Sequence, residues 1–377
     1  MIYKPFQDLQ LSALGLGMMR LPLQGKEEAD IDEALTAEMI GYAYEKGVNY
    51  YDTAWGYHDG NSEWVAGRLL SRYPRESYYL ASKFPGYDLA NMDKVEEIFT
   101  KQLEKCQTPY FDFYLFHNVY EGNIREYLNP QNGILDYLLR QKAQGKIRHL
   151  GFSTHGSLET IREFLEAYGA HMEFCQLQLN YLDWHFQDAQ QKVALLKEAG
   201  LPVWVMEPLR GGKLAQASQE MTAHMRQMRP EETVPGWAFR FLQAIPEVTL
   251  VLSGMSNMEQ LQENIRIFQE NKPLRPEEFA ALVRLADNEV EKAGVPCTAC
   301  HYCLSHCPQG LPIADFIAWY NEHKITGGGF LAPMSVSALP EEKRPDKCIA
   351  CHSCEQVCPQ QIQIANVLSD FSQMIGM

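Results

Sequence analysis

The densest chemistry in this 377-residue chain lies in its cysteines. Eight of the ten fall in two copies of one spacing: Cys297, Cys300, Cys303 and Cys307 ahead of Pro308, and Cys348, Cys351, Cys354 and Cys358 ahead of Pro359. Each copy reads C-x-x-C-x-x-C-x-x-x-C-P. Thiolates at this spacing can wrap a cubic iron–sulfur cluster, which carries one electron at a time. Zinc knots are the competing use of the same side chains. Zinc sites, however, pair one C-x-x-C with a distant second pair, not three close cysteines with a fourth. A disulfide framework belongs to small secreted domains. His301, His306 and His352 lie in or beside the runs and read as exposed neighbours, because the cysteines already supply four thiolates per cluster. Cys106 and Cys175 stand alone and read as small apolar packing groups.

The two runs are similar to the ligand runs of bacterial-type two-cluster ferredoxins, in which the fourth cysteine of each run serves the other cluster. That resemblance implies two 4Fe-4S clusters with crossed ligation. Cys297, Cys300 and Cys303 would join Cys358, and Cys348, Cys351 and Cys354 would join Cys307. A helical pattern follows each run, with Ile313, Phe316, Ile317 and Tyr320 in one and Ile364, Val367, Leu368 and Phe371 in the other. The long stretch between the runs also suits a mainly helical domain, expected over residues 286–377.

Upstream, β-rich runs alternate with helical patterns. Strands are predicted at 14–21, 49–53, 78–83, 111–117, 149–153, 174–179, 203–207 and 249–253. Helices are predicted at 36–46, 62–72, 92–106, 133–144, 157–168, 187–199, 235–242 and 257–269. Gly47, Gly145 and Gly200 punctuate helix ends. Eight such units over residues 1–285 predict an α/β fold, a (β/α)8 TIM barrel, with residues 1–12 as a short hairpin across its bottom. A doubly wound sheet is the competing architecture, but Gly15-Leu16-Gly17 lacks the third glycine of its fingerprint.

Barrel chemistry sits at the C-terminal ends of the strands. Those ends present Asp52, Tyr57, Lys83 and His117 in turn. A buried Lys83 paired with Asp52 would keep its charge. That charge is expected to lower the pKa of Tyr57, so that the phenol can protonate an oxygen gaining negative charge near neutral pH. His117 would orient and polarise the same oxygen. The stretch Asn49-Tyr50-Tyr51-Asp52-Thr53-Ala54-Trp55-Gly56-Tyr57 with Ser62-Glu63, together with Lys83 in LASKF and His117 in LFHN, resembles the aldo/keto reductase superfamily, in the branch fused to a C-terminal ferredoxin-type domain. The resemblance covers roughly residues 3–270. It implies hydride transfer between a nicotinamide cofactor, NAD(P)(H), and a small-molecule carbonyl or quinone-like substrate, with Asp52, Tyr57, Lys83 and His117 as the catalytic set.

The same resemblance implies the dinucleotide contacts. Ser153 and Gln176 match positions at the nicotinamide carboxamide, with Gln178 the alternative to Gln176 in the repeat Gln176-Leu177-Gln178; Asn180 lies two residues further along the same strand end. Met206 stands where many members carry a tyrosine against the nicotinamide ring. Pro208, Leu209 and Gly211 would follow the pyrophosphate. Ser253, Gly254, Gln260, Glu263 and Asn264 match the adenosine side. The family's basic residues for a 2′-phosphate are absent there, since Gly254 and Gln260 occupy those places, which leaves NADH and NADPH undistinguished.

A net charge of −15 argues against binding nucleic-acid phosphates. The sequence has no apolar run of membrane-spanning length, and its start lacks a signal-peptide pattern, which predicts a cytoplasmic protein. Hydride transfer itself needs no iron. The clusters therefore feed or drain electrons for an oxidoreductase, or exchange them with a redox partner protein while the barrel acts as a scaffold, or staple the small domain. Trp55, the segment 120–127 and Trp184 are aromatic groups that line a substrate pocket or pack on the barrel rim.

Overall fold

A computed structural model describes residues 1–297 and 300–377. The chain divides into two compact units, Met1–Leu282 and Val283–Met377.

The first unit opens with an antiparallel hairpin, β1 (Tyr3–Phe6) and β2 (Leu9–Ser12), turned at Gln7 in the left-handed region (φ 52°). Eight parallel strands follow: β3 (Leu14–Gly17), β4 (Tyr50–Asp52), β5 (Tyr79–Phe84), β6 (Phe111–Val119), β7 (Ile147–Thr154), β8 (Cys175–Gln178), β9 (Val203–Met206) and β10 (Val248–Gly254). They close in chain order, with β10 pairing both β9 and β3. The eight predicted strands are therefore the barrel. β3 is shorter than expected, because past Gly17 the chain leaves the sheet: the Leu21 N–H bonds to His58 Nε2.

The barrel's amino-terminal end is filled by aromatic groups. Phe6 of the hairpin seats among Tyr50, Phe113, Phe174 and Trp204, with ring centroids 5.0 Å from Trp204 and 5.7 Å from Phe113. Gly151 makes room for this layer, since a Cβ there would meet the Phe174 ring at 2.6 Å. Glu173 ties the hairpin to the wall by accepting hydrogen bonds from Gln7, Lys142 and the Leu150 N–H, and by pairing with His149. With this end closed by packing, the opposite end is left for chemistry.

The outer helices fall where the 3.6-residue periodicity puts them. The helix Gln219–Met228 was not predicted; Ser218 caps it, and Met221 and Met225 supply its buried face. Trp184 packs edge-on against Phe241 and Phe279, and Tyr127 is buried with its hydroxyl bonded to Gly86 N–H and His117 O. Both are therefore part of the scaffold.

The second unit is mainly helical. Helices Ile313–Thr326, Leu331–Ser337 and Ile364–Met374 bury Phe316, Ile317, Tyr320, Val336, Leu368 and Phe371 against one another. Cys303 and Cys354 lie inside this core. No helix among the described residues is long and apolar enough to cross a membrane.

Candidate active site and cysteine cavities

Asp52 ends β4 and Lys83 lies one residue before the end of β5. Both are buried, and the Lys83 ammonium donates to Asp52 Oδ1 at 2.5 Å and to the Thr53 carbonyl at 2.8 Å. It also donates to the Tyr57 hydroxyl at 3.3 Å. Tyr57 is carried on a 3-10 turn, Tyr57–Gly60, in which His58 and Asp59 adopt left-handed angles (φ 53° and 52°). His58 holds this turn to the β3 loop by accepting from Leu21 N–H and bonding Glu28 O. His117 lies near the end of β6, its ring edge-on to Tyr57 at 6.0 Å. All four side chains thus meet at one mouth.

Burial acts on each group differently. It disfavours the Lys83 ammonium, but the neighbouring Asp52 charge and the hydrogen bonds outweigh it and hold the amine above its ordinary range. Burial also pushes the Tyr57 phenol up, and Lys83 pulls it back only in part. The expected downward shift is thus reversed: loss of water costs the phenolate more than one ammonium returns. Glu207, at the end of β9 with φ 54°, adds to the upward push. His117 is held well below its usual range by burial and by Lys83, so it is a neutral imidazole. Its buried Nδ1 and Asp52 Oδ2 make no hydrogen bond among the described residues.

Behind the mouth lies a buried polar layer whose members are far apart in the sequence. Glu63 accepts from Ser82 Oγ and Gln102 Nε2, both at 2.7 Å, and pairs with Lys105. Gln102 also donates to Lys83 O, and Lys105 donates to Gly60 O. Gly67 permits this, since a Cβ there would strike the Lys105 carbonyl. Tyr87, four residues beyond Lys83 in the KFPGYD loop, stands edge-on to His117 at 5.1 Å. No sequence periodicity marks it.

The residues matched to a dinucleotide line the same end of the barrel. Ser153 accepts from Asn118 N–H at 2.8 Å. Gln176 donates to the Met206 sulfur at 3.6 Å, while its buried Oε1 has no partner among the described residues, an orphaned acceptor that fits a carboxamide N–H. Asn180 bonds Asp183 and Glu207 O, and Arg210 is held by Asp183. Pro208 is buried and Leu209 half-buried, and Gly211 turns with φ 67°. Buried Asn264 donates to Ser253 Oγ at 3.1 Å, so this pair packs the helix Met258–Phe268 on its strand. Gln260 spends its Oε1 on Ser256 N–H. Gly254 is exposed and Glu263 half-buried on the helix surface.

This chain matches the aldo/keto reductase family over residues 13–287. The chain belongs to the aldo/keto reductase family. As a member it is an oxidoreductase, and residues 296–363 match a 4Fe-4S dicluster domain. The NADH-specific methylglyoxal reductase of Escherichia coli is 24% identical over 301 residues, 68% of this chain and 90% of that protein. The uncharacterized oxidoreductase YqkF of Bacillus subtilis is 26% identical over 317 residues, 76% of this chain and 96% of that protein. The thermostable aldo-keto reductase Tm1743 shares the fold at a TM-score of 0.61 and 22% identity, covering 76% of this chain and 100% of its own. An aldo-keto reductase from Klebsiella pneumoniae, solved in complex with NADPH, does so at 0.58 and 22%, covering 76% and 96%.

In the second unit the cysteines gather at two cavities. One is lined by Cys297, Cys300, Cys303 and Cys358, with Ile317 and Ile364. The other is lined by Cys307, Cys348, Cys351 and Cys354, with Leu311 and Leu368. Each takes three cysteines from one run and the fourth from the other. All eight thiols are free. Burial pushes the Cys354 thiol up to about 12 and raises Cys303. Leu311 N–H points at Cys307 Sγ (3.4 Å), as a donor to a ligating sulfur would. Four soft anionic donors facing an apolar cavity fit an iron–sulfur cluster. His301 and His352 are exposed at the two rims.

Proposed function

We propose that this protein reduces a small carbonyl or quinone-like compound with a nicotinamide dinucleotide, using Tyr57 as the proton donor. The observation that carries the reading is the Lys83 ammonium, bonded at once to Asp52 (2.5 Å) and to the Tyr57 hydroxyl (3.3 Å). When bound, the nicotinamide supplies the hydride. The chain's own part is to hold a proton ready and to stabilise what is left when it goes. Burial keeps Tyr57 protonated at neutral pH, so the donor is loaded. As the proton leaves, negative charge grows on the Tyr57 oxygen beside a fixed ammonium that needs no reorganisation. Neutral His117 faces the same space and orients the substrate oxygen by a hydrogen bond. Ser153 and Gln176 hold the carboxamide, with Met206 against the ring, and the segment from Pro208 through Leu209 to Gly211 borders the pyrophosphate. Ser253, Gly254, Gln260, Glu263 and Asn264 bound the adenosine end.

Cys297, Cys300, Cys303 and Cys358 would hold one 4Fe-4S cluster, and Cys307, Cys348, Cys351 and Cys354 the other. The clusters supply one-electron transfer, which couples the protein to a redox partner protein. A second reading, in which the barrel only scaffolds an electron-transfer protein, draws on the uncharged Gly254 and Gln260 at the adenosine end. Turnover by anaerobic protein with NADH or NADPH and small aldehydes, ketones or quinones, methylglyoxal among them, separates the two. We expect Tyr57→Phe to lower kcat about 10²-fold or more while leaving dinucleotide affinity unchanged. Full activity in that variant would discard the proton-donor role.

A further inference from the structure

A basic side chain lies where the dinucleotide loops converge, in the loop after β3, which carries none of the residues matched to the dinucleotide. Arg20 follows β3, and its carbonyl accepts from Ser256 Oγ at 2.9 Å. Its stem crosses Gly254: a Cβ on that glycine would meet Arg20 Cβ at 3.1 Å and Cγ and Cδ at 3.3 Å. Its guanidinium reaches the loop after β9, where a Cβ on Gly211 would meet a terminal nitrogen at 3.2 Å. That loop turns through three successive left-handed residues, Arg210, Gly211 and Gly212 (φ 45°, 67° and 96°). Arg20 therefore spans the two loops assigned to the pyrophosphate and the adenosine. Among the described residues its guanidinium makes no hydrogen bond or ion pair, whereas Arg210 next to it is held by Asp183.

We propose that Arg20 is the cation that holds the pyrophosphate of the bound dinucleotide. The assignment rests on the reading above that a nicotinamide dinucleotide binds here. A diphosphate brings two negative charges to a chain whose net charge is already −15, so a local cation is needed. A guanidinium suits the task because its planar fork donates to two phosphate oxygens at once. A Cβ at position 254 would press on the Arg20 stem, which would have to give by a few tenths of an ångström, so the glycine lets the stem lie close against this loop. The charge is delivered from the first barrel strand instead of the last, and it meets the part that NADH and NADPH share.

The test is direct binding by anaerobic, cluster-loaded protein, read by calorimetry with NADH, NADPH, ADP-ribose and adenosine. Arg20→Ala is expected to weaken the first three by about 10-fold or more, each by a similar factor, and to leave adenosine unchanged. Arg20→Lys should fall between, since it keeps the charge and loses the fork. Circular dichroism and cluster absorbance matching the wild type show that the fold is intact. Wild-type-like binding of NADH, NADPH and ADP-ribose by Arg20→Ala would overturn the assignment. So would a loss confined to NADPH, or a loss seen in Lys213→Ala but not in Arg20→Ala. If wild-type protein binds none of these nucleotides, the reductase reading fails, and the assignment with it.

Discussion

Replacing Lys83 by methionine removes the buried ammonium while roughly keeping the volume. Two separate costs follow. The first falls on stability. At 2.5 Å, opposite unit charges attract by about 7 kcal/mol at an effective dielectric of roughly 20, but desolvating the two ions costs several kcal/mol each, so the pair's net value is small. Deleting one partner strands Asp52, whose burial already pushes its carboxyl up, and should cost about 3–5 kcal/mol. The second cost falls on catalysis. At 3.3 Å, the ammonium stabilises a Tyr57 phenolate by about 5 kcal/mol at the same dielectric, which converts to a fall in kcat of about 5 × 10³-fold. The two are separable. Adding Asp52→Asn to Lys83→Met removes the stranded carboxylate and should recover most of the lost stability, with no recovery of kcat. Urea midpoints and kcat would be measured for both single variants and the double variant. If Lys83→Met keeps its turnover, or if the double variant regains it, charge at Lys83 is not what supports Tyr57.

Crossed ligation predicts which cysteine pairs act together. Cys297→Ser and Cys358→Ser should each lose one cluster, and the double variant should lose no more, about four iron atoms in all; Cys297→Ser with Cys307→Ser should lose both clusters by iron and sulfide assay. Glu173 supplies an acid-sensitive term at the barrel's closed end. Burial opposes its charge, but hydrogen bonds from His149, Lys142, Leu150 N–H and Gln7 outweigh burial and hold the carboxyl down to about 2. Its folded value lies below its unfolded value, so it stabilises fully above pH about 4.5 and loses that contribution as pH falls towards about 2. The unfolding midpoint gap between wild type and Glu173→Gln, worth up to about 2 kcal/mol after allowing for solvent screening, should therefore close across that window; a gap that persists at pH 2 would rule this out.

Much of the fold was legible because barrel strands and helices are specified by local pattern. Alternation of β-rich runs with 3.6-residue periodicity yields eight strands, and the glycines after three helices mark ends that need positive φ (Gly47 89°, Gly145 75°, Gly200 71°). Gln219–Met228 escaped because its buried face is only Met221 and Met225, in an otherwise polar stretch. Trp184 and Tyr127 could serve a pocket or pack on the barrel rim, and both pack against the scaffold; a ring's direction depends on neighbours distant in sequence, so only the fold decides between the two.

The candidate site divides in the same way. Residue types and order along the chain were enough to select Asp52, Tyr57, Lys83, His117 and the eight cysteines, because a strand end or a C-x-x-C spacing is a property of consecutive residues. The sign of the Tyr57 shift was decided only by folding: solvent exclusion is a sum over every surrounding atom, and here it outweighs the single ammonium that local reasoning could see. Arg20 crossing Gly254 towards Gly211, and Glu63 reaching Lys105, are likewise properties of the folded chain. Parallel strands bring together loops more than 200 residues apart, and no periodicity in the sequence records which side chains then touch.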